Sequence, residues 1–362
     1  MRGGVIMAGL ISLFVGASER AHETAYTLTT LTSNLSYPKA MVQLPDLRWL
    51  ITLRNGELVF VAPNGDVERS RLDLPQLYTE GQGGVLDVEL ATDFTYSKNV
   101  FFSYSKGSKA QNHLAVVRAT LAQNSADFTE VTAIFSVDTL KDTPVHYGGK
   151  LLALDNNEWL LTSGDGFDFR EQAQLLTSQL GKVLRFSSTG EASASAPFPK
   201  APYIYTYGHR NPQGLIALPD GILLLHEHGP DGGDEVNQLI AGNNYGWPVV
   251  TLGKDYSGAS ISPFEHYPGM VDPIVDWTPS IAPSSMTYYA HPAFPSLHNH
   301  VLVTALKARA IYALDISSSP IEQKRIFPSV NKRLRDVAIG KDGNIYLLTD
   351  GEKGQLIRVS AK

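Results

Sequence analysis

Seven short segments of the sequence carry titratable or amide side chains, several of them beside glycine, a mixture typical of loops that form functional sites. The segments are residues 80–87, 146–149, 207–214, 227–235, 244–248, 305–307 and 333–336. The imidazole of His146 could transfer a proton near neutral pH. The cationic side chains that could fix the carboxylate groups of a ligand are Arg210, Lys307, Arg333 and Arg335. These residue types suit proton transfer and the binding of an anionic molecule.

Spacing indicates which of these side chains could act together. Arg333 and Arg335 lie two residues apart, so on a strand they project from the same face. The glycine pair after His146 would let a flat molecule approach the backbone closely. Asp165, in a Ser-Gly-Asp-Gly run, either orients this site or is an ordinary turn residue, and the neighbour Val145 offers no acid. Each cation could instead be a solvated surface charge, and His146 a hydrogen-bonded structural residue.

Composition and absent motifs exclude several classes of protein. The formal net charge is −6 and Lys and Arg form no run, which argues against a nucleic-acid partner. Without cysteine, the chain has no disulfide, thiolate metal site or cysteine nucleophile. The sequence contains no G-x-G-x-x-G loop, no G-x-S-x-G elbow and no H-E-x-x-H pair. His226 and His228 form an H-x-H pair, which either binds a transition metal or packs near a channel and donates hydrogen bonds.

Six stretches repeat one pattern, in which a short β-rich run, a polar or glycine turn and a second, alternating run follow one another. They are residues 49–61, 99–119, 158–186, 221–240, 300–316 and 343–359. Sheets built from such units leave faces that neighbours must cover, and a radial arrangement around a channel does this. The pattern predicts an all-β, six-bladed β-propeller in which a strand near residues 25–32 pairs with the last blade to close the ring. A pair of β-sandwiches is the alternative.

The first residues differ in character from the rest of the chain. Met1 and Arg2 precede an uncharged, largely apolar stretch that ends in small residues near Ala17, as in a secretory signal peptide. We expect residues 1–21 to be a signal peptide, with a membrane anchor as the alternative, and residues 22–362 to form a single propeller domain. The expected location is periplasmic or secreted, without stable membrane insertion once the signal is removed.

The seven segments, taken in order, resemble those of the soluble glucose and aldose sugar dehydrogenases that depend on pyrroloquinoline quinone (PQQ). The resemblance runs from about residue 38 to the C-terminus, and residues 84–94 are closer to the aldose sugar branch. It implies two cofactors, PQQ and Ca²⁺. It also implies that His146 is the general base. The residues implied to bind PQQ are Gln82, Arg210, Asn211, Gln213, Lys307, Arg333 and Arg335.

Calcium, in the same resemblance, is held by oxygen atoms, which suit a hard cation. The backbone carbonyls of Gly229 and Pro230 would hold an ion that polarises the quinone of PQQ. Glu235 and the carbonyl of Tyr245 would hold a second ion with a structural role.

The implied reaction is oxidation of an aldose sugar to an aldonolactone, with an electron acceptor that the sequence does not identify. Two other functions remain open. A calcium-dependent propeller lactonase would need acidic and Asn ligands around a channel ion and would not need four cations. A non-catalytic propeller would show gaps among the cofactor positions, and the sequence shows none. Residues 254–277, which match the family pattern least, lie in a segment expected to influence substrate choice.

Overall fold

The computed structural model describes residues 26–123 and 125–362, in which 24 strands form six four-stranded antiparallel sheets. The predicted signal peptide lies outside the described residues. Strand β1 (Tyr26–Leu35) belongs to the last sheet. The first sheet contains β2 (Pro38–Gln43), β3 (Trp49–Leu53), β4 (Glu57–Val61) and β5 (Val67–Arg71). The second contains β6 (Val85–Leu90), β7 (Asn99–Gly107), β8 (Asn112–Leu121) and β9 (Phe128–Ser136).

The remaining four sheets repeat this order along the chain. The third contains β10 (Gly148–Ala153), β11 (Glu158–Ser163), β12 (Lys182–Ser187) and β13 (Ile204–Tyr207). The fourth contains β14 (Pro212–Ala217), β15 (Leu223–Glu227), β16 (Asp234–Leu239) and β17 (Val275–Trp277). The fifth contains β18 (Pro283–Tyr289), β19 (His300–Ala305), β20 (Ala310–Asp315) and β21 (Glu322–Ile326). The sixth contains β22 (Leu334–Ile339), β23 (Ile345–Thr349) and β24 (Gly354–Ala361) with β1.

The six sheets are the blades of a β-propeller, which confirms the predicted fold and excludes the pair of β-sandwiches. Strand β1 pairs antiparallel with β24, with Thr27 opposite Ser360. The prediction that an N-terminal strand closes the ring is therefore confirmed. Because the last blade is built from both ends of the chain, backbone hydrogen bonds hold the ring shut.

Helices are few and short in the described residues. They are α1 (Phe94–Ser97) and the 3₁₀ turns Arg170–Gln174 and Pro295–Leu297. Within the same residues, no helix has the length and apolar character needed to span a membrane.

The core lies between the blades. Strands β3 and β23 are buried at every position, because each is covered on both faces by neighbouring blades. Trp49 packs on Tyr346 across the junction of the first and last blades, with 4.5 Å between ring centroids. Phe101 stacks on Trp159 at 4.0 Å between the second and third blades. This large apolar contact area holds the blades at fixed angles around the channel.

The innermost strand of each blade is also its first in the chain, apart from β1 in the sixth. The six innermost strands therefore run in the same direction, and their first residues meet at one mouth of the channel. Buried aspartates fix neighbouring innermost strands to one another. Asp87 accepts a hydrogen bond from the Leu151 N–H at 2.7 Å, and Asp336 accepts one from the Met41 N–H at 2.8 Å.

Candidate active site

Predicted site residues gather at the mouth where the innermost strands begin. A cavity of about 300 Å³ opens there. The residues implied to bind a cofactor that line this cavity are Gln82, Asn211, Gln213, Arg333 and Arg335. Each lies just before an innermost strand or within its first residues. The fold therefore brings together side chains from segments that are far apart in the sequence.

The wall of the cavity is mainly cationic. Arg333 and Arg335 converge on Asp350, with Nη2 to carboxylate oxygen distances of 3.1 and 2.7 Å. Burial alone would raise the pKa of Asp350. The two guanidinium groups outweigh this effect and hold the pKa of Asp350 below its usual value. Lys39 and Arg54 line the same cavity. A ligand with several carboxylates would meet three arginines, one lysine and one aspartate among the described residues of this wall.

The sequence patterns do not indicate Lys39 or Arg54 as residues of the site. Lys39 is the second residue of β2, and the repeated pattern begins only at the following strand, β3. Arg54 follows β3 and donates from Nε to the Gly83 carbonyl at 3.0 Å, as well as to the Thr79 carbonyl. Recognition of β2 as an innermost strand would have placed Lys39 at the mouth.

A buried aspartate fixes the orientation of the His146 ring. Its Nδ1 lies 2.7 Å from Oδ1 of Asp165. Asp165 also accepts hydrogen bonds from the Phe167 N–H and from Nε1 of Trp247, each at 2.8 Å. Because this carboxylate is buried and accepts only, it places the proton of the neutral imidazole on Nδ1 and leaves Nε2 as the acceptor. Asp165 therefore orients the imidazole as well as forming a turn.

Burial sets the direction of the His146 pKa. The ring is almost fully enclosed, and burial lowers its pKa below the ordinary histidine value. Hydrogen bonding and charge from Asp165 oppose this, whereas the charges of Arg210 and Lys141 lower the pKa further. The imidazole is therefore neutral at neutral pH and can accept a proton.

The backbone at His146 is also constrained. Its φ is +51°, in the left-handed region that non-glycine residues rarely adopt. The His146 N–H donates to Oε1 of Gln82 at 2.9 Å. A Cβ on Gly164 would lie 2.2 Å from the His146 carbonyl oxygen, so this neighbour must be glycine. Lys141 donates to the Val145 carbonyl at 2.8 Å. Such support around a strained residue is typical of functional sites.

Arg210 connects the His146 site to the proposed calcium loop. Its Nη1 donates to the Gly229 carbonyl at 2.5 Å and to the His228 carbonyl at 3.2 Å. Its guanidinium lies 5.3 Å from the ring centroid of Trp247. A carbonyl oxygen has two lone pairs, so Gly229 retains one for a cation. Gly229 and Pro230 are buried, and their carbonyl oxygens are of the type that calcium prefers.

Two aromatic side chains stand exposed above the base. The Phe167 ring meets the His146 ring edge to face at 5.1 Å and stacks with Tyr256 at 6.4 Å between centroids. Phe167 is 43% exposed and Tyr256 65% exposed. The Tyr256 hydroxyl is 3.5 Å from Nη2 of Arg210. Tyr256 comes from residues 254–277, the segment in which the sequence analysis found the weakest family pattern.

Glu235 and Tyr245, the implied ligands of a second calcium, lie around a third residue, Glu227. Burial and the charge of Glu227 raise the pKa of Glu235 to about 8. The Tyr245 ring stacks on His209, with 4.8 Å between centroids, and Nδ1 of His209 lies 2.8 Å from Glu227 Oε1. Crowded carboxylates of this kind suit a bound cation.

The remaining candidates are Lys307 and the H-x-H pair, His226 and His228. Lys307 is exposed, whereas its neighbour Leu306 lines the cavity, so this side chain lies at the rim. His228 lines the cavity and Nε2 lies 2.6 Å from the Pro283 carbonyl, as expected for a hydrogen-bonded histidine. The His226 ring fills the space where a Cβ on Gly214 would lie. Among the described residues, no three His, Asp or Glu side chains are grouped to hold a metal ion.

The cavity fits a flat, polyanionic cofactor. Its cations match carboxylates, and Gly148, with φ of +64°, forms part of its wall. Gly148 has no room for a side chain, because a Cβ there would lie 2.8 Å from the Thr162 carbonyl oxygen. The fold and this site define a propeller with a mouth rich in basic side chains beside a buried histidine.

Comparison with known proteins identifies the family. The profile of the family described as Glucose / Sorbosone dehydrogenase matches residues 35–358. The chain is 35% identical to aldose sugar dehydrogenase YliI of Escherichia coli, over 92% of this chain and 92% of that protein. It is 26% identical to quinoprotein glucose dehydrogenase B of Acinetobacter calcoaceticus, over 91% of this chain and 87% of that protein.

The fold is also shared. The crystal structure of soluble aldose sugar dehydrogenase from Escherichia coli in the apo-form superimposes with a TM-score of 0.89 and 34% identity, covering 93% of this chain and 100% of that chain. The chain belongs to the glucose/sorbosone dehydrogenase family. The resemblance stated from the sequence segments is therefore confirmed.

Proposed function

We propose that this chain oxidises aldose sugars to aldonolactones with bound PQQ and calcium. The observation that carries the proposal is the His146–Asp165 pair, joined at 2.7 Å, beside a cavity lined by three arginines and a lysine. Membership of a sugar dehydrogenase family supports the same reaction class. We further propose that the protein is exported to the periplasm or secreted and passes electrons to a carrier still to be identified.

The chain's own residues would perform the proton transfer. Nε2 of His146 accepts the proton of the sugar's anomeric hydroxyl, and Asp165 stabilises the imidazolium that forms. When bound, PQQ supplies the acceptor for the hydride of the anomeric carbon, and calcium polarises its quinone. Arg210, at the Gly229 carbonyl, adds positive charge beside the base. Burial of His146 limits access of water to the base.

Cofactor binding is assigned to the cavity and its rim. Arg333, Arg335 and Lys307 would pair with carboxylates. Amide groups would add polar contacts, from Gln82, Asn211 and Gln213. Gly229 and Pro230 would hold the calcium at the cofactor, and Glu235 and Tyr245 the structural ion. The chain's residues thus provide oxygen ligands for the ions and cations for the organic cofactor.

Product identification separates this function from a propeller lactonase. Protein loaded with PQQ and calcium should convert glucose and other aldoses to the lactone or its acid while reducing a redox dye. A lactonase would open an aldonolactone without reducing the dye and without PQQ. Three arginines and a lysine at the mouth favour the oxidation. A protein that binds PQQ but leaves every aldose unchanged would contradict the proposal.

Arg335→Gln should weaken PQQ binding about 30-fold, because a charge-assisted hydrogen bond from a half-buried guanidinium is lost. Lys307→Ala should weaken it only about threefold, because an exposed cation is screened by solvent. Calorimetric titration of the calcium-loaded protein measures both. Arg309→Ala is the matched control, since Arg309 is exposed and bonds the Asn331 carbonyl. If Lys307→Ala bound PQQ as tightly as the wild type, Lys307 would not belong to the binding site. If Arg335→Gln did so, PQQ would bind somewhere other than this cavity.

Tyr256→Ala should raise KM for aldoses about tenfold with kcat nearly unchanged, because the exposed ring offers an apolar contact to the sugar and no group that reacts. Steady-state kinetics at saturating PQQ measures the two constants. Tyr96→Ala is the control, since Tyr96 is 89% exposed and lies on another blade. A fall in kcat with constant KM would place Tyr256 in the proton-transfer machinery instead.

A further inference from the structure

Lys39 occupies a position that connects two cavities of the channel. It lines the 300 Å³ cavity at the mouth and a second, smaller cavity of 40 Å³ deeper in the channel. Arg335 and Gln213 line both cavities as well. Nζ of Lys39 lies 3.4 Å from the Gln82 carbonyl oxygen. The ammonium group is therefore placed among residues assigned to cofactor binding.

The charges around Lys39 leave it without a free anion. From the neighbouring elements, Arg54 and Arg335 are cations, and Asp350 is already bonded by Arg333 and Arg335. Deeper in the channel, Asp87 is paired with Lys150 at 2.9 Å. Asp336 accepts from Ser285 at 2.5 Å and from the Met41 N–H. Each carboxylate that faces this region in the described residues thus has other partners.

We propose that Lys39 is a further binding residue for the anionic cofactor and takes up a proton when that cofactor binds. The inference rests on the proposed PQQ function and extends it to a residue outside the seven segments. A carboxylate of the cofactor would provide the counterion that the protein does not. The mouth of the channel would then be assembled in full only in the complex.

The electrostatics agree with this geometry. Burial, together with the charges of Arg335 and Arg54, lowers the pKa of Lys39 to about 7, although the charge of Asp350 opposes the shift. Such a lysine is mostly neutral at about pH 8 and mostly charged at about pH 6. A carboxylate beside it raises the pKa, so binding takes up a proton above pH 7 and none well below it. Affinity for the cofactor should fall as pH rises above 7.

The test is calorimetric titration of the calcium-loaded, PQQ-free protein with PQQ in buffers of different ionisation enthalpy. This measures proton uptake directly and does not depend on turnover. The wild type should take up about 0.9 proton more than Lys39→Met at about pH 8, and about 0.1 more at about pH 6. Affinity of the wild type should fall roughly tenfold between these pH values through this group, and that of Lys39→Met should lack this fall.

Two further variants serve as controls for charge and for position. Lys39→Arg should bind PQQ at pH 8 at least as tightly as the wild type and without the extra proton, because guanidinium is always charged. Lys341→Met is the matched control. Lys341 is exposed and lines a different cavity, at the other end of the channel. Equal proton uptake in the wild type and Lys39→Met would overturn this inference and leave the proposed function standing. Absence of PQQ binding to the wild type would overturn both.

Discussion

His146→Gln should lower kcat for aldose oxidation about a thousandfold, which is the largest effect expected of any single substitution in this chain. The glutamine side chain can fill much of the space of the imidazole and still bond to Asp165, but it cannot accept a proton. PQQ affinity should stay within about threefold of the wild type, because the cations of the cavity are untouched. Single-turnover dye reduction and calorimetric titration with PQQ measure the two quantities.

The pH dependence provides the control for this variant. Burial lowers the pKa of His146, so protonation inactivates the wild type only below the usual histidine range. The acidic limb of kcat should therefore lie below about pH 6.5 and should be absent from the residual activity of His146→Gln. If kcat and PQQ affinity fell together, and the acidic limb persisted, His146 would be a structural residue of the mouth.

Asp165→Asn should reduce kcat on the order of a hundredfold or more, although the side chain keeps its size. The carboxylate accepts from the His146 ring, the Phe167 N–H and the Trp247 indole. An amide has one donating end, so it can leave Nε2 of His146 protonated and unable to accept the sugar's proton. Kinetics of the PQQ-loaded variant, together with its ¹⁵N imidazole shifts, report activity and tautomer in the same protein.

Trp247→Phe is the matched control for Asp165→Asn. It removes one hydrogen bond to Asp165 Oδ2 and leaves the bond to His146 intact. We expect a loss of roughly tenfold or less, with the tautomer unchanged. If Asp165→Asn were as active as the wild type, the carboxylate would have no role beyond the turn.

The sequence predicts the blades well because each second strand contains a short, mainly apolar run. Prediction is weaker for the first strand of each blade, which faces the channel on one side and carries mixed residues. Lys39 lies on such a strand, with a burial pattern that alternates only in part. The family motifs indicate candidate residues for the mouth, whereas Lys39 and Arg54 belong to none of these motifs. Their place at the mouth becomes visible only when the blades are arranged in the ring.

The role of Asp165 shows a second limit of sequence reasoning. Its Ser-Gly-Asp-Gly setting fits both a turn and a functional acid, and 19 residues separate it from His146. The two meet because Asp165 follows β11, the antiparallel partner of β10, and His146 precedes β10. The pairing of β10 with β11 therefore shows that Asp165 contacts His146, which the local composition around Asp165 could not show. For Lys307 the structure reduces the expected contribution, because the side chain is exposed at the rim.

Titration of the calcium-loaded, cofactor-free protein with PQQ, while dye reduction with glucose and other aldoses is followed, tests the proposed sugar oxidation. We expect a sharp activation that ends at one PQQ per chain and depends on calcium. Failure of PQQ to bind, with no dye reduction at any aldose concentration, would contradict it and favour a non-catalytic propeller.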